Sequence, residues 1–111
     1  AKVAFGSDWT VAPASPVEGI HAAVTRRTID GANPRGWVPG QKVSVEQALH
    51  AYTTVGAFAS FDEDNRGMLK PGMLADFVLI DRDLTAVEPD TLRDARILRT
   101  VVGGKVVFAS K

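Results

Sequence analysis

The tripeptide Gly6-Ser7-Asp8 ends a short apolar run that begins almost at residue 1. The run predicts a short buried strand over residues 2–7. In parallel α/β sheets and barrels, reactive side chains follow the carboxyl ends of strands, where the next loops open a cleft. Asp8 therefore has the sequence position of a catalytic carboxylate. A strand that starts so close to residue 1 suggests a truncated catalytic domain, because natural domains tend to begin with polar, loose residues.

The composition narrows the possible classes of function. Hydrophobic residues make up 45% of the chain and charged residues 23%, which is typical of a globular protein. Thirteen basic and thirteen acidic side chains cancel, so we expect neither nucleic acid nor an anionic membrane as a partner. The absence of cysteine excludes disulfides and thiolate metal sites. No run approaches the roughly 20 apolar residues that span a bilayer, and none forms a signal peptide. We therefore expect a cytoplasmic protein.

The first half of the chain predicts two helices and a long loop. Ser15-Pro16-Val17-Glu18 and Ser44-Val45-Glu46-Gln47 both match the capping box that begins a helix. The first helix is predicted to end at Arg26-Arg27. The second runs to about residue 53, with a further turn or short helix to residue 60. Residues 30–42 contain three glycines and two prolines, which favour a loop.

The second half is rich in predicted strands. These cover residues 74–81, 97–102 and 105–109, with a hairpin at Gly103-Gly104 and one helical turn at 89–94. Asp76 at the start of the first strand is expected to accept hydrogen bonds from turn amides. Asp81 and Asp83 are expected to be solvated. The order of elements gives an α/β chain whose composition changes near residue 61.

The residues alone allow two interpretations of Asp8. A carboxylate in this position can bind a divalent metal and take a proton from water bound to that metal. Alternatively, Asp8 caps the turn Asp8-Trp9-Thr10 by accepting bonds from backbone amides. Trp9 either lines a substrate pocket or packs as an ordinary large aromatic, and for Trp37 ordinary packing is favoured.

Longer segments resemble the amidohydrolase superfamily. Gly6-Ser7-Asp8-Trp9-Thr10, followed by a Pro-rich loop and a helix ending in Arg-Arg, is similar to the eighth barrel strand and its surroundings. Residues 44–53 are similar to the eighth barrel helix. The likeness continues through Gly67-Met68-Leu69-Lys70-Pro71-Gly72 to residues 100–106. It is closest to the amidohydrolase 3 branch, which includes N-substituted formamide deformylase.

The resemblance implies a fold and an activity. Residues 1–60 would be the last strand and helices of a TIM-type (β/α)8 barrel, and residues 61–111 the C-terminal strands of a composite β-sandwich. The parent would be a metal-dependent hydrolase of C–N bonds other than peptide bonds, acting on a small amide-type molecule. Asp8 would be both a ligand of a divalent metal, in the first place zinc, and the general base. Trp9 would contact the substrate.

The chain departs from the family pattern in its histidines. The family site also needs a His-x-His pair, a carboxylate or modified lysine, and two further histidines. Only His21 and His50 are present, and both fall within predicted helices. His21 is expected at the edge of the core and His50 beside Glu46, so neither is expected to bind metal. Because a zinc site needs three or four protein ligands, we expect the chain alone to be metal-free and inactive.

A second class of function stays open, that of a non-catalytic folding or assembly module. Strands and helix faces that normally pair within a barrel would be left exposed in a chain this short. We therefore expect homo-oligomers, or a rearranged packing of residues 1–12.

Overall fold

A computed structural model describes all 111 residues. Its helices are α1 (Pro16–Thr25), α2 (Val45–Tyr52) and α3 (Thr54–Ala59), and its strands are β1 (Phe77–Ile80), β2 (Ile97–Val102) and β3 (Lys105–Ala109). Two 3₁₀ helices cover Pro39–Gln41 and Pro89–Asp94. None of the helices has the length and apolar character required to cross a membrane.

The capping box of α2 is confirmed. The Gln47 N–H donates to the Ser44 Oγ at 3.2 Å, and the Ser44 N–H donates to the Gln47 Oε1 at 2.8 Å. The predicted division of this region near residue 53 is also present: Thr53, with φ of −114° and ψ of −84°, separates α2 from α3. The α1 helix begins at Pro16 as predicted, although the Ser15 side chain makes no capping bond.

The α1 helix ends slightly earlier than predicted. Its last residue is Thr25, because Arg26 adopts a left-handed conformation with φ of 56° and donates its N–H to the Ala22 carbonyl. The turn directs Arg27 toward Asp90, with which it forms an ion pair. The end of α1 is thereby joined to the 3₁₀ helix Pro89–Asp94, which lies more than sixty residues along the chain.

Residues 2–7 do not form the predicted buried strand. A single backbone hydrogen bond connects them to a helix, from the Phe5 N–H to the Ala51 carbonyl at 3.1 Å. The Phe5 and Tyr52 rings meet edge to face with their centroids 5.5 Å apart. A strand requires a neighbouring strand for its N–H and C=O groups. No segment of the chain pairs with residues 2–7, so α2 holds them through Phe5 and most of them are exposed.

The three strands form one antiparallel sheet in the order β1-β2-β3. The β2 and β3 strands have the predicted bounds, whereas β1 covers only the second half of the predicted 74–81. Gly103 and Gly104 make the predicted hairpin turn with φ of 56° and 77°. Glycine suits both positions because positive φ costs it little.

Two aspartates fix the ends of β1. The Gly103 N–H donates to the Asp76 Oδ1 at 2.7 Å, so Asp76 accepts from a turn amide as expected, but from the β2–β3 hairpin and not from the turn before β1. Asp81 is not solvated as predicted: its side chain is only 12% exposed. It accepts hydrogen bonds from the Arg82 guanidinium at 2.9 Å and from the Arg96 N–H at 3.0 Å. These bonds hold the pKa of Asp81 well below its usual range.

The core lies between the helices and the 3₁₀ helix Pro89–Asp94. Four buried side chains form its centre, and they come from both halves of the chain: Ile20, Ala48, Leu84 and Leu92. Leu92 has no exposed surface at all. Assignment of residues 1–60 to a barrel and of 61–111 to a sandwich stays a prediction.

Candidate functional site

Asp8 lies in the turn that follows residues 2–7, and it is exposed. Its φ is 49°, a left-handed conformation that aspartate tolerates better than most residues. The Val11 N–H donates to the Asp8 carbonyl at 2.7 Å, and the Ala12 N–H donates to the Ser7 carbonyl at 3.2 Å. The turn is thus closed by backbone groups.

The carboxylate of Asp8 is free. The two bonds that close the turn use main-chain carbonyls, and the side chain accepts no hydrogen bond from a protein donor. The capping interpretation predicts such a bond, so its expected contact is missing. An exposed, unpaired carboxylate can accept a proton or bind a cation. The catalytic role of Asp8 stays a prediction.

The two tryptophans are both on the surface. Trp9, next to Asp8, is 69% exposed, which leaves its ring available to a ligand. Trp37 does not pack in the core as its sequence favours, because it is 68% exposed. The Arg26 guanidinium instead lies over the Trp37 ring, 5.1 Å from its centroid, and the Arg26 Nε donates to the Trp37 carbonyl at 3.1 Å.

A cleft of about 330 Å³ adjoins the Asp8 turn. Ser7 lines it from the turn, Glu18 and Arg27 line it from α1 and its end, and Tyr52 lines it from α2. Nothing in the sequence pattern predicted that these charged side chains would share a cleft with Ser7. The one available signal was the helical spacing of Glu18, which sets it on a different face of α1 from Val17 and Ile20.

A larger cleft of about 560 Å³ lies elsewhere, between α3, the segment 66–69 and the start of β1. Arg66 and Asp76 both line it, and the Arg66 Nη1 lies 3.6 Å from the Asp76 Oδ2. Neither Asp8 nor Trp9 does. Asp8 and Trp9 do not line the smaller cleft either, which meets their turn at Ser7 and Ala12.

The residues of this chain do not by themselves fit a metal ion. No three histidine, aspartate or glutamate side chains gather into a group that could hold one. His50 is exposed on α2, whereas His21 is buried in α1 with 2% of its surface exposed. The burial of His21 goes further than the expected position at the edge of the core. One carboxylate supplies one of the three or four ligands that zinc needs.

His21 should make stability depend on pH. Burial, and less strongly Arg93, lowers the pKa of His21 below its ordinary 6.5, and its Nδ1 has no hydrogen-bond partner. The unfolded chain therefore binds more protons than the folded chain just below pH 6.5, so stability falls as the pH drops through this range. We expect the urea midpoint of wild type to decrease between pH 7.5 and pH 5, and that of His21→Leu to decrease less. An equal change in both would contradict this role. The exposed matched variant His50→Leu should behave as wild type does.

The sequence profile of the Amidohydrolase family matches residues 1–108. The chain belongs to this amidohydrolase family. The resemblance of the Gly6-Ser7-Asp8 segment and of the later strands is thereby confirmed at the level of the family. No solved structure matches the chain significantly.

Three curated proteins are similar to this chain over almost all of its length. The chain is 38% identical to LONG AFTER FAR-RED 3 of Arabidopsis thaliana over 97% of its own length and 18% of that protein. It is 31% identical to YtcJ of Bacillus subtilis (strain 168), over 95% of its length and 20% of YtcJ. It is 33% identical to N-substituted formamide deformylase of Arthrobacter pascens, over 93% of its length and 18% of the enzyme. The chain thus spans about a fifth of the length of the relatives it matches.

Proposed function

We propose that this chain contributes a catalytic carboxylate to a metal-dependent amidohydrolase that cleaves C–N bonds other than peptide bonds. The match of the family profile to residues 1–108, with Asp8 inside it, carries the proposal. The name of the Arthrobacter relative, N-substituted formamide deformylase, favours a small amide-type substrate. Residues 1–60 would supply the end of the barrel and residues 61–111 part of the sandwich.

Asp8 would act as the general base. It would accept a proton from the attacking water and deliver that proton to the leaving amine as the C–N bond breaks. The exposed and unpaired state of its carboxylate suits both transfers, because no protein donor competes for its oxygens. Trp9, exposed beside it, would form one wall of the substrate site.

The metal requires residues that this chain does not have. Asp8 would be one ligand of a divalent ion, in the first place zinc. The remaining ligands would come from the part of the protein that corresponds to the four fifths of the relatives' length outside the matched segment. We therefore propose that the 111-residue chain on its own is inactive.

A chimera tests the proposal. The matched segment of the Arthrobacter deformylase, about 103 residues, is replaced by this chain, and hydrolysis of an N-substituted formamide is measured. We expect metal-dependent hydrolysis by the chimera and none by the 111-residue chain. A folded chimera that carries its metal and shows no hydrolysis would contradict the proposal. The deformylase truncated before the segment serves as the negative control.

A further inference from the structure

Gly19 lies within α1, although glycine is a poor helix residue. It lowers the stability of a helix relative to alanine, because its backbone loses more freedom on folding. A Cβ at Gly19 would overlap the Tyr52 hydroxyl oxygen and lie only 2.9 Å from the Tyr52 Cζ. Gly19 therefore leaves a gap in the surface of α1, and the Tyr52 side chain inserts into it. Both residues line the smaller cleft, and so do Gly6 and Ser7 of the segment before Asp8.

The inserted Tyr52 side chain also contacts the segment that carries Asp8. The Tyr52 ring meets the Phe5 ring edge to face, with the two ring planes 80° apart. The carbonyl of Ala51 accepts a hydrogen bond from the Phe5 N–H. Carbonyls in the last turn of a helix lack an intrahelical partner, so they can bond outside the helix. The last two residues of α2 thus hold Phe5 by its ring and by its backbone.

Phe5 is the residue through which the backbone of the Asp8 turn is attached to the helices. Within residues 1–12, the Phe5 N–H makes the one backbone hydrogen bond to a helix. The N–H groups of Val11 and Ala12 donate to carbonyls of the turn itself, so they close the turn without joining it to α1 or α2. Asp8 lies three residues beyond Phe5, which is at most about 10 Å of extended chain. A displacement of Phe5 therefore also displaces the Asp8 turn.

We propose that Gly19 and Tyr52 are positioning residues for Asp8, because together they hold Phe5 and thereby determine where the Asp8 carboxylate lies. The catalytic consequence rests on the proposed function, in which Asp8 is the general base. A general base must lie within hydrogen-bond reach of the proton that it takes, so its position affects the rate. The contacts that carry the proposal all lie within the segment that matches the family profile.

Gly19→Ala should move the Tyr52 side chain without unfolding the chain. The atom that the new Cβ overlaps is the far end of a side chain, which can shift, and not a backbone atom. Alanine also favours the helix more than glycine does. Adding Tyr52→Phe removes the overlapping oxygen and leaves only the 2.9 Å approach to Cζ. The double variant Gly19→Ala/Tyr52→Phe should therefore return Phe5 close to its original position.

Hydrogen exchange of the 111-residue chain measures the attachment of Phe5 directly. The Phe5 amide should exchange at least about tenfold faster in Gly19→Ala than in wild type, because its bond to the Ala51 carbonyl opens more often. In the double variant its rate should lie within about threefold of the rate in Tyr52→Phe alone. Amides of β2, which pair with the other two strands, should keep their rates in every variant and so exclude global unfolding.

The deformylase chimera measures the catalytic consequence. Gly19→Ala should lower kcat by about tenfold to a hundredfold, because a misplacement of about 1 Å can have an effect of this size. The KM and the metal content should change little, since the substitution acts on the position of the base and not on binding. Adding Tyr52→Phe should recover most of the lost kcat. A merely structural role of Gly19 would not produce this split between kcat and KM.

Gly56→Ala is the matched control. Gly56 also lies in a helix, α3, but a Cβ there would come no closer than 4.0 Å to another atom, the Ala51 carbonyl oxygen. It should leave both the Phe5 exchange rate and kcat as they are in the parent.

Four results would overturn the proposal. They are an unchanged Phe5 exchange rate in Gly19→Ala, an unchanged kcat of an active chimera, equal losses with and without Tyr52→Phe, and an equal loss in Gly56→Ala. An unsubstituted chimera that folds, carries its metal and shows no hydrolysis would contradict the proposed function instead. The exchange rate of the Phe5 amide would then still decide whether Gly19 and Tyr52 position the segment.

Discussion

Asp8→Asn is expected to lower kcat of the deformylase chimera by about a hundredfold to ten-thousandfold, the usual contribution of a general base. Asparagine keeps the size and shape of the side chain but cannot take a proton from water. The KM for the N-substituted formamide should change much less, because the Asp8 carboxylate would stabilise the transition state more than it would contribute to substrate binding. Steady-state kinetics and metal content are measured on the same preparations, so that a lost metal is separated from a lost base.

Asp83→Asn is the matched control for this experiment. Asp83 is an exposed aspartate that accepts hydrogen bonds from the Thr85 N–H and the Thr85 Oγ1, and an amide oxygen can accept both bonds. Its chimera should keep the activity of the parent chimera. If Asp8→Asn retained its metal and more than about a third of kcat, Asp8 would not be the base, and the general base would lie elsewhere in the enzyme.

Leu92→Ala should be the most destabilising single substitution in the core. Leu92 is fully buried among Ile20, Ala48 and Leu84, where a truncated side chain leaves a cavity. Large-to-small changes of this type cost about 2–5 kcal/mol. Since small domains are stable by only about 5–15 kcal/mol in total, we expect a large fall in the urea midpoint or the loss of a cooperative transition. Circular dichroism at 222 nm during urea unfolding measures it.

Leu69→Ala provides the comparison, because Leu69 carries the same side chain with 73% of its surface exposed. Its free energy of unfolding should stay within about 0.5 kcal/mol of wild type. If the two variants lost similar stability, Leu92 would not lie at the centre of the core, and the contact between α1 and the 3₁₀ helix Pro89–Asp94 would be wrong.

The sequence predicted best those elements whose hydrogen bonds are local. Ser44 and Gln47 are three residues apart, and their mutual capping follows from residue type and spacing alone. Gly103-Gly104 between two apolar runs likewise determines its own turn. Asp76 was expected to bond turn amides, but the amide that it binds, that of Gly103, lies 27 residues away and so could not be named from the sequence.

Elements that depend on distant partners were predicted poorly. The apolar run at residues 2–7 has strand composition, but composition does not provide a neighbouring strand, so the segment stays unpaired. Asp81 was expected to be solvated, but it bonds to the adjacent Arg82 guanidinium and also to Arg96, which is fifteen residues away and approaches only when β1 and β2 pair. Burial of His21 depends in the same way on packing against a 3₁₀ helix some seventy residues later.

The same distinction between local sequence features and distant contacts applies to the candidate site. Asp8 could be proposed from its position after an apolar run and from the family likeness of the whole chain, neither of which requires knowledge of a three-dimensional contact. Glu18 and Arg27 reach the neighbouring cleft only through the way in which α1 packs beside the turn. The proposed metal site would draw its ligands from many strands, and this chain offers only Asp8 as a proposed ligand, so no local pattern could predict the site.

The shared core has a consequence for how the chain would behave if it were divided. Ile20 and Ala48 come before the acidic turn at residues 62–64, and Leu84 and Leu92 come after it. A cut in that turn would yield two pieces, each holding only half of the apolar centre. Neither piece would have enough buried surface to fold alone, and each would act as the template on which the other becomes ordered. The two pieces would therefore be suited to a split-protein reporter, in which recovery of structure signals that they have met.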